Sequence, residues 1–460
     1  MRRLPPGAPI LTAAAMRDLE DSAFEAGTSQ QALMERASTA VAHQTARFAL
    51  GRPILVLAGP GNNGGDAYGA AALLRDWGHE VTVAALGTPK SGAAAAMAQR
   101  WGGATVALSQ AASRPVVVDG LFGIGLDRDL DADTATALCW LVAAADVALA
   151  IDLPSGLDTD SGALRGAADG YTLTLALGAL KPAHVLHPAS TRCGTVLLDT
   201  LGLEAQGDWR SVARPSLAAP ASDAHKYSRG MVAVIAGEMP GAARLAASGA
   251  LHGGAGYVVL CGASGGADAI VHRAHGDLDA LLEDQRVGAI VIGPGLGRDD
   301  AARARLDRVL ASDRALVIDG DALSLLGRDL PSAVAARRAA SVLTPHAAEF
   351  DRCFGASAAS KIERTLSAAR QSRATIVHKG AGTVIATPDG KILVAADLTS
   401  WLSTAGTGDV LAGLIAARIA TGGSADEAVW LHGRAASLAG PAFAADTLAD
   451  HLSEAIASCR

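Results

Sequence analysis

The chain has 460 residues, and its 39 Lys and Arg against 46 Asp and Glu give a net charge of −7, which disfavours sequence-independent binding to nucleic acid. Hydrophobic residues make up 50% of the chain, aromatic residues 3% and charged residues 18%, with 52 glycines, so neither a disordered chain nor a collagen is expected. Because single cores stop growing at roughly 250–300 residues, the length predicts two domains.

After an N-terminal helical region, the first half repeats a short aliphatic run, a glycine turn and an alanine-rich helix. This pattern predicts strands at residues 53–58, 80–86, 116–119 and 147–152, and a helix at 66–77. Asp119 and Asp152 end two of these strands, directly before loops that contain glycine. Such strand ends are typical of the carboxyl edge of an open parallel sheet, where ligands bind.

Residues 204–224 contain two prolines among Gly, Ala, Ser and Asp without periodicity, which is typical of a linker. The second half then restarts the same pattern, with strands predicted at 231–236, 257–261, 289–292, 315–319, 376–378 and 383–386. We therefore predict two α/β domains, at residues 1–210 and 225–460, joined by a linker at 211–224.

The five cysteines are widely spaced and form no Cys-x-x-Cys pair, which predicts reduced thiols in a cytoplasmic protein. The longest apolar run, at 135–151, is interrupted by Asp146 and is too short to cross a membrane. We predict neither a membrane span nor a zinc site.

The first predicted loop, residues 59–66, reads Gly-Pro-Gly-Asn-Asn-Gly-Gly-Asp. Its Gly-x-Gly-x-x-Gly spacing is able to cradle a pyrophosphate on backbone N–H groups. However, the next strand lacks the acid that a dehydrogenase uses to bind the ribose. The loop offers instead two amides and a carboxylate, which can ligate a hard cation or bind sugar hydroxyls. Helix capping explains the glycines and one asparagine, but not the whole block.

Oxygen ligands from Asn63, Asp119 and Ser155 suit a weakly charged cation better than zinc, because these loops offer no Cys or His. Asp152 is then free for acid–base chemistry. A helix cap is the simpler interpretation for any one of these aspartates, but three such loops in order are hard to attribute to chance.

Five blocks in the first half resemble the NAD(P)H-hydrate epimerase domain: LTAAAM at 11–16, GNNGGD at 61–66, VDGLFGIG at 118–125, IDLPSGLD at 151–158 and GALKP at 178–182. The resemblance implies a Rossmann-like three-layer αβα domain that interconverts the R and S epimers of hydrated nicotinamide cofactor, NAD(P)HX. It implies a potassium ion bound by Asn63, Asp119 and Ser155, with Asp152 as the catalytic acid–base group. It implies that the hydrate is bound by Asn62, Asn63, Gly64, Gly65, Asp66, Gly123, Ile124, Gly125, Leu126, Asp127, Arg128, Asp129 and Asp152. One departure is Ala67, where the family usually has glycine.

In the second half, residues 404–413 read Thr-Ala-Gly-Thr-Gly-Asp-Val-Leu-Ala-Gly, a glycine turn that enters an apolar helix. N–H groups at such a turn can bind an anion, and Asp409 can act as base towards a hydroxyl that attacks a phosphate. An ordinary capped helix is the alternative interpretation. Four further motifs accompany it: GPGLG at 293–297, VIDGDAL at 317–323, LTPHAAEF at 343–350 and HKGAGT at 378–383.

These motifs, with the His-Lys pair at 225–226 and Gly-Ala-Gly at 254–256, resemble the ADP- or ATP-dependent NAD(P)H-hydrate dehydratase, which has a ribokinase-like α/β fold. The resemblance implies ADP as co-substrate, with ATP as the alternative, and Mg²⁺ bound with the nucleotide. It assigns the adenine nucleotide to Lys379, Gly380, Ala381, Gly382, Thr383 and Gly408, and the hydrate to Ala242, Gly297, His346 and Asp409, with Asp409 as the catalytic base. The chain departs from the family at 238–240 and at Tyr227, and we expect both segments to lie near the hydrate.

The leading interpretation is a fused epimerase and dehydratase that repairs NAD(P)HX. One alternative is a ribokinase-like small-molecule kinase fused to a nucleotide-binding domain, and another is that the first domain binds a ligand without catalysis. We expect NAD(P)HX and an adenine nucleotide as ligands, no nucleic-acid or membrane partner, and a homo-oligomer.

Overall fold

Buried aliphatic strands organise the protein, whose computed structural model describes residues 4–460. The chain divides into two units, the first ending at Ser211 and the second beginning at Val212. Residues 1–3 of the predicted first domain lie outside the described residues. Part of the predicted linker packs within the second unit, because the backbone N–H of Val212 donates to the Val394 carbonyl at 3.0 Å and that of Leu217 to the Cys459 carbonyl at 3.1 Å.

The first unit is built on a parallel sheet in the order β3-β2-β1-β4-β5-β6-β7. Its strands are β1 (Ile54–Ala58), β2 (Val81–Ala85), β3 (Thr105–Ala107), β4 (Val116–Gly120), β5 (Val147–Ile151), β6 (Leu173–Leu177) and β7 (Thr195–Asp199). The short strand β8 (Trp209–Ser211) lies outside this sheet, and its Arg210 forms an antiparallel bridge with Pro9 of the N-terminal segment. Its helices are α1 (Ala13–Glu25), α2 (Gln30–Ala49), α3 (Asn62–Asp76), α4 (Gly92–Trp101), α5 (Ala132–Ala143) and α6 (Pro182–Val185). This is the strand order of a Rossmann sheet with one strand added.

Helices cover both faces of this sheet, as β1 shows. Ile54 and Val56 pack into a core with residues of α2 and α3, whereas Leu55 and Leu57 pack into a second core with residues of α5. Side chains alternate between the two faces of a strand, so a strand that is apolar at every position needs a helix layer on each side. The predicted three-layer αβα arrangement is therefore confirmed.

The second unit contains a larger mixed sheet in which the strand order is β11-β10-β9-β12-β13-β14-β15-β16-β17. Its strands are β9 (Met231–Ile235), β10 (Tyr257–Cys261), β11 (Val271–Arg273), β12 (Val287–Ile292), β13 (Ala315–Ile318), β14 (Ser341–Leu343), β15 (Thr375–His378), β16 (Thr383–Ala386) and β17 (Ile392–Ala395). Its helices are α7 (Pro240–His252), α8 (Leu278–Glu283), α9 (Asp300–Leu310), α10 (Gly320–Leu326), α11 (Leu330–Ala335), α12 (Ala347–Phe354), α13 (Lys361–Ser372), α14 (Thr407–Ala420), α15 (Ala425–Ala439), α16 (Ala445–Asp450) and α17 (Leu452–Ala457). The strands from β11 to β15 are parallel, and β16 and β17 continue the sheet as antiparallel hairpin strands.

The structure contains the predicted strands, and their ends differ from the predicted ones by at most two residues. The predicted end of the first loop, however, is wrong. Helix α3 begins at Asn62, four residues before the predicted start, so the two amides of that block lie on the first helical turn and the Asp66 carboxylate follows directly after it. Gly61 is the extended N-cap of the helix and supplies no side-chain cap. Within residues 4–460 no helix is both long and apolar enough to cross a membrane.

Candidate active sites

A cavity of about 530 Å³ lies at the carboxyl edge of the first sheet. Strand order reverses at β1, with β2 on one side and β4 on the other, so the loops after β1 and β4 diverge and leave a crevice between them. Residues 60–63 line one wall of the cavity and residues 121–126 line the other, while α1 contributes Glu20 and Asp21.

Only some of the residues assigned to the hydrate from the sequence line this cavity. Those that do are Asn62, Asn63, Asp66, Gly123, Ile124, Gly125, Leu126 and Asp152. Gly64 and Gly65 pack against backbone instead, since a Cβ on Gly64 would lie 1.8 Å from the Gly59 carbonyl oxygen and one on Gly65 would lie 2.7 Å from Ala94 Cα. Asp127, Arg128 and Asp129 are exposed beyond the cavity wall, where Asp129 forms an ion pair of 3.5 Å with Arg165.

Asp152 lies in the cavity wall, immediately after β5, with a positive φ of 62°. Its Oδ1 accepts a hydrogen bond from Lys181 Nζ and another, of 3.1 Å, from the Leu177 backbone N–H. Lys181 also donates to the Leu177 carbonyl at 2.6 Å, and its side chain is almost fully buried. The pair therefore places a carboxyl group at the cavity wall, held in one orientation by the buried Lys181 side chain.

Two further carboxyl groups face this ion pair across the cavity. Burial raises the pKa of Asp66 well above its ordinary range, and the charges of Asp152 and Glu20 add to that rise. Burial also raises the pKa of Glu20, with Lys181 opposing the effect. The site thus combines a carboxylate paired with lysine and a carboxyl group that retains its proton to higher pH, the contrast on which acid–base catalysis depends.

Two of the three predicted potassium ligands, Asp119 and Ser155, are fully buried and hydrogen-bonded to each other next to the loop after β4. Ser155 Oγ donates to Asp119 Oδ1 at 2.7 Å and accepts from the Phe122 backbone N–H at 2.9 Å. Asn63 packs against the same loop, because a Cβ on Gly123 would lie 3.3 Å from its Oδ1. Asp119 is completely buried, and burial raises its pKa against the hydrogen bonds that it accepts from Tyr171 and Ser155.

In the second unit, the corresponding switch point lies between β9 and β12, and the GTGD segment enters α14 nearby. Asp409 lies in the first turn of α14. Its pKa is raised to about 7, chiefly by burial and then by the negative charge of Asp319, while Lys379 opposes the rise. A carboxylate with a pKa near neutrality is suited to general-base catalysis.

Lys379 is the first of the predicted nucleotide-binding residues, and its side chain reaches the acidic group around Asp409. Its Nζ donates to Asp319 Oδ1 at 2.8 Å, and a Cβ on Gly408 would lie 3.3 Å from the same Nζ. The HKGAGT and GTGD motifs are therefore adjacent in space. Gly380, Ala381, Gly382 and Thr383 form the turn between β15 and β16 that begins beside Lys379.

The residues assigned to the hydrate in this unit lie on neighbouring strand-end loops. The Gly297 backbone N–H donates to Asp321 Oδ2 at 3.1 Å. His346 caps α12 through its Nδ1, and its Nε2 lies 3.5 Å from Glu349 Oε1. Ala242 lies in the first turn of α7, directly after β9.

The two departures from the family motif fall in different places. Glu238 contacts the Gly297 loop, since a Cβ on Gly297 would lie 3.0 Å from its Oε2, so this departure lies at the predicted hydrate site. The segment at 225–228 does not lie at the predicted hydrate site, so the prediction that both departing segments lie near the hydrate is wrong for this one. It precedes β9 and packs under Gly256 at the amino end of β10, because a Cβ there would lie 2.2 Å from the Lys226 carbonyl oxygen. A cavity of about 790 Å³ at this amino edge is lined by residues between 216 and 229 and by the end of α14.

Sequence reasoning missed three residues that the sites contain. Lys181 lies within the GALKP motif, which is a usable signal, but the resemblance assigns no role to this lysine. Glu20 lies on α1, and Lys361 lies at the start of α13, where its Nζ donates to the carbonyls of Lys379 and Gly382. Both helices have ordinary amphipathic patterns, so no local signal distinguishes these two residues from surface residues.

Comparison with known proteins covers both units. Residues 30–183 match the family described as YjeF-related protein N-terminus, and residues 232–458 match NAD(P)H-hydrate dehydratase. The bifunctional NAD(P)H-hydrate repair enzyme Nnr of Mycobacterium tuberculosis is 36% identical over 416 residues, 86% of each chain. The enzyme of that name from Gloeobacter violaceus is 37% identical over 473 residues, 93% of this chain and 92% of its own. A crystal structure of the ADP/ATP-dependent NAD(P)H-hydrate dehydratase from Bacillus subtilis, co-crystallized with ATP/Mg²⁺, is 28% identical with a TM-score of 0.46, covering 53% of this chain and 95% of that chain.

These matches follow the two units in chain order, and the relatives carry both parts in one chain. The dehydratase match covers the segment on which the alternative of a small-molecule kinase rested, so that alternative is not favoured. The chain belongs to the family of bifunctional NAD(P)H-hydrate repair enzymes.

Proposed function

We propose that this protein repairs hydrated nicotinamide cofactor in two reactions. The first unit interconverts R- and S-NAD(P)HX, and the second dehydrates the S epimer with ADP, giving NAD(P)H, AMP and phosphate. The observation that carries the proposal is the position of Asp409, a carboxylate with a pKa of about 7 at the start of α14, next to the loop that begins at Lys379.

In the second unit, Asp409 takes the proton of the hydrate's hydroxyl group as that oxygen attacks the terminal phosphate of the nucleotide. Backbone N–H groups at the start of α14, beginning at Thr407, stabilise the negative charge that develops on the phosphate. The hydroxyl, otherwise a poor leaving group, then departs as phosphate with help from the ring nitrogen's lone pair. Loss of a proton from the neighbouring ring carbon restores the dihydropyridine.

In the first unit, Asp152 exchanges a proton with the hydrate, and Lys181 orients its carboxylate. Asn62, Asp66 and the loop after β4 surround the space that the hydrate would occupy. Gly64 and Gly65 have no room for side chains. The Gly65 N–H already donates to the Gly61 carbonyl at 3.0 Å, so of the two only Gly64 would act, through its backbone N–H on the first turn of α3.

The donor set in the first unit fits a potassium ion. Asn63, Asp119 and Ser155 offer oxygen atoms without sulfur or nitrogen ligands, as a hard, weakly charged cation requires. Within residues 4–460, the Nδ2 atom of Asn63 is buried without a hydrogen-bond partner, which suits an amide oriented by a ligand. When bound, the cation would supply a fixed positive charge beside the substrate's phosphates.

We also propose that Mg²⁺ enters the second unit with the nucleotide, that the protein acts in the cytoplasm, and that it forms a homo-oligomer without nucleic-acid or membrane partners. All five cysteines are free, which suits a reducing compartment. ADP is proposed as the co-substrate, with ATP as the alternative.

The test is a coupled assay on the full chain that follows the absorbance of regenerated NADH. S-NADHX should be consumed with ADP, and R-NADHX should be consumed only if the first unit supplies the S epimer. ATP is tested in a parallel arm. A small-molecule kinase would give no NADH from either epimer, and a non-catalytic first unit would leave R-NADHX unconverted beyond its spontaneous rate.

A further inference from the structure

Lys361, in the first turn of α13, has an unusual set of partners for a lysine. Its Nζ donates to two backbone carbonyl oxygens, that of Lys379 at 3.2 Å and that of Gly382 at 2.8 Å. Among residues 4–460, no carboxylate forms an ion pair with it. Both carbonyls belong to the turn between β15 and β16, so a single ammonium group bridges the two ends of that turn.

This position is electrostatically unfavourable for a lysine. Burial lowers the pKa of Lys361 to about 8, and the N-terminal end of a helix carries partial positive charge, which disfavours a cation. A lysine on a solvated helix face would avoid both costs. Two charge-assisted hydrogen bonds to carbonyl oxygens offset them, and their effect falls on the turn that accepts them.

The two bonds fix the orientation of the turn's peptide groups. In a trans peptide the carbonyl and the following N–H point in opposite directions, so the N–H group of Gly380 points away from Lys361, while that of Thr383 is directed towards β17, where Thr383 pairs with Ala395. Thr383 Oγ1 donates a hydrogen bond of 3.2 Å to a third carbonyl of the turn, that of Gly380. Lys379 itself extends towards Asp319, at 2.8 Å, on the active-site side.

We propose that Lys361 is a positioning residue for the adenine nucleotide: it holds the turn at residues 379–383 so that the Gly380 N–H group and the Lys379 ammonium face the ligand. The inference rests on the proposed function of the second unit and adds to it a residue that does not touch the nucleotide. Loss of the Lys361 ammonium should therefore weaken nucleotide binding without affecting the hydrate or the chemical step.

The test compares two variants. K361M keeps the length of the side chain but removes its charge and its hydrogen-bond donors, whereas K361R keeps the charge and the donors. K391M is the matched control, because Lys391 is an exposed lysine at the start of the β17 hairpin strand. For each full-length protein, KM for ADP, KM for S-NADHX and kcat are measured, together with the Kd for ADP by calorimetry and the thermal unfolding midpoint.

K361M should raise the KM and the Kd for ADP at least tenfold, with kcat at saturating ADP and KM for the hydrate within twofold of wild type. K361R should recover part of the loss, and K391M should match wild type. An ADP Kd for K361M within twofold of wild type overturns the inference, as does an equal loss for both substrates in a folded protein. If K361M does not fold, K361Q is judged by the same criteria. A wild-type protein that binds ADP but produces no NADH would refute the proposed function while leaving the Kd comparison decisive, and one that binds neither ADP nor ATP would refute both.

Discussion

If Asp409 is the base of the dehydratase, the reaction should depend on pH in the neutral range. The pKa of Asp409 is raised to about 7 from an ordinary value of 3.8, first by burial and then by neighbouring carboxylates. A base works only when it is deprotonated, so kcat/KM for the hydrate should fall as pH decreases through about 7. An exposed carboxylate with its ordinary pKa would leave the rate unchanged over this range.

The size of the effect follows from the fraction of Asp409 that is ionised. With a pKa of about 7, roughly a tenth of the carboxyl groups are ionised at about pH 6 and roughly nine tenths at about pH 8. The rate should therefore rise about ninefold to tenfold across these two pH units.

The raised pKa of Asp409 also affects the stability of the folded state. Because the folded state holds the proton more tightly, ionisation of Asp409 destabilises it, and this cost develops between pH 3.8 and about 7.

The assay is NADH release from S-NADHX at saturating ADP between about pH 6 and pH 8, with R-to-S conversion followed in the same buffers as an internal control. D409N should lose dehydration and keep epimerisation. Because it removes an ionisable group whose charged form is disfavoured, D409N should also raise the free energy of unfolding by roughly 2–4 kcal/mol near pH 8, and by little near pH 4. A flat rate profile, or a D409N protein that dehydrates at the wild-type rate, would refute the assignment.

Three further changes test the first unit. D152N and K181M should each reduce R-to-S conversion by 10²-fold or more while leaving dehydration of S-NADHX unchanged; equal loss of both activities would point to a folding defect. G64A should lower the unfolding midpoint of the first unit because its methyl group would lie 1.8 Å from the Gly59 carbonyl oxygen, whereas G125A should not, because nothing lies within 4 Å of that position. S155A should reduce the stimulation of epimerisation by K⁺ over Na⁺, and stimulation that stays at the wild-type level would remove Ser155 from the cation site.

The sequence predicts the parts of each site that lie on a single strand-end loop. Asp119 lies at the end of the buried strand β4 and Asp152 directly follows β5, and the local pattern of aliphatic run, aspartate and glycine is enough to place them at the carboxyl edge. Lys181 contacts Asp152 although it lies 29 residues later in the chain, with strand β6 between them. Lys361 similarly bonds to carbonyls 18 and 21 residues away. Periodicity indicates which face of a helix is polar, but it does not indicate which polar side chain meets another loop, so partners of this kind need the tertiary structure.

The glycines of the two sites have different physical roles, although the sequence presents them alike. Gly64 and Gly293 are required by close packing, because a Cβ on either would lie less than 2 Å from a backbone carbonyl oxygen, at 1.8 Å and 1.7 Å. Gly61 and Gly125 line the cavity and have no protein atom within 4 Å of their missing Cβ, so the space beside them is free for a ligand. A glycine-rich block is therefore weak evidence for binding until its open positions are separated from its packed ones. In the first unit, Asn62, Asn63 and Asp66 line the cavity and remain candidates for binding. Gly64 instead makes the close contact with the Gly59 carbonyl that lets α3 begin at this point.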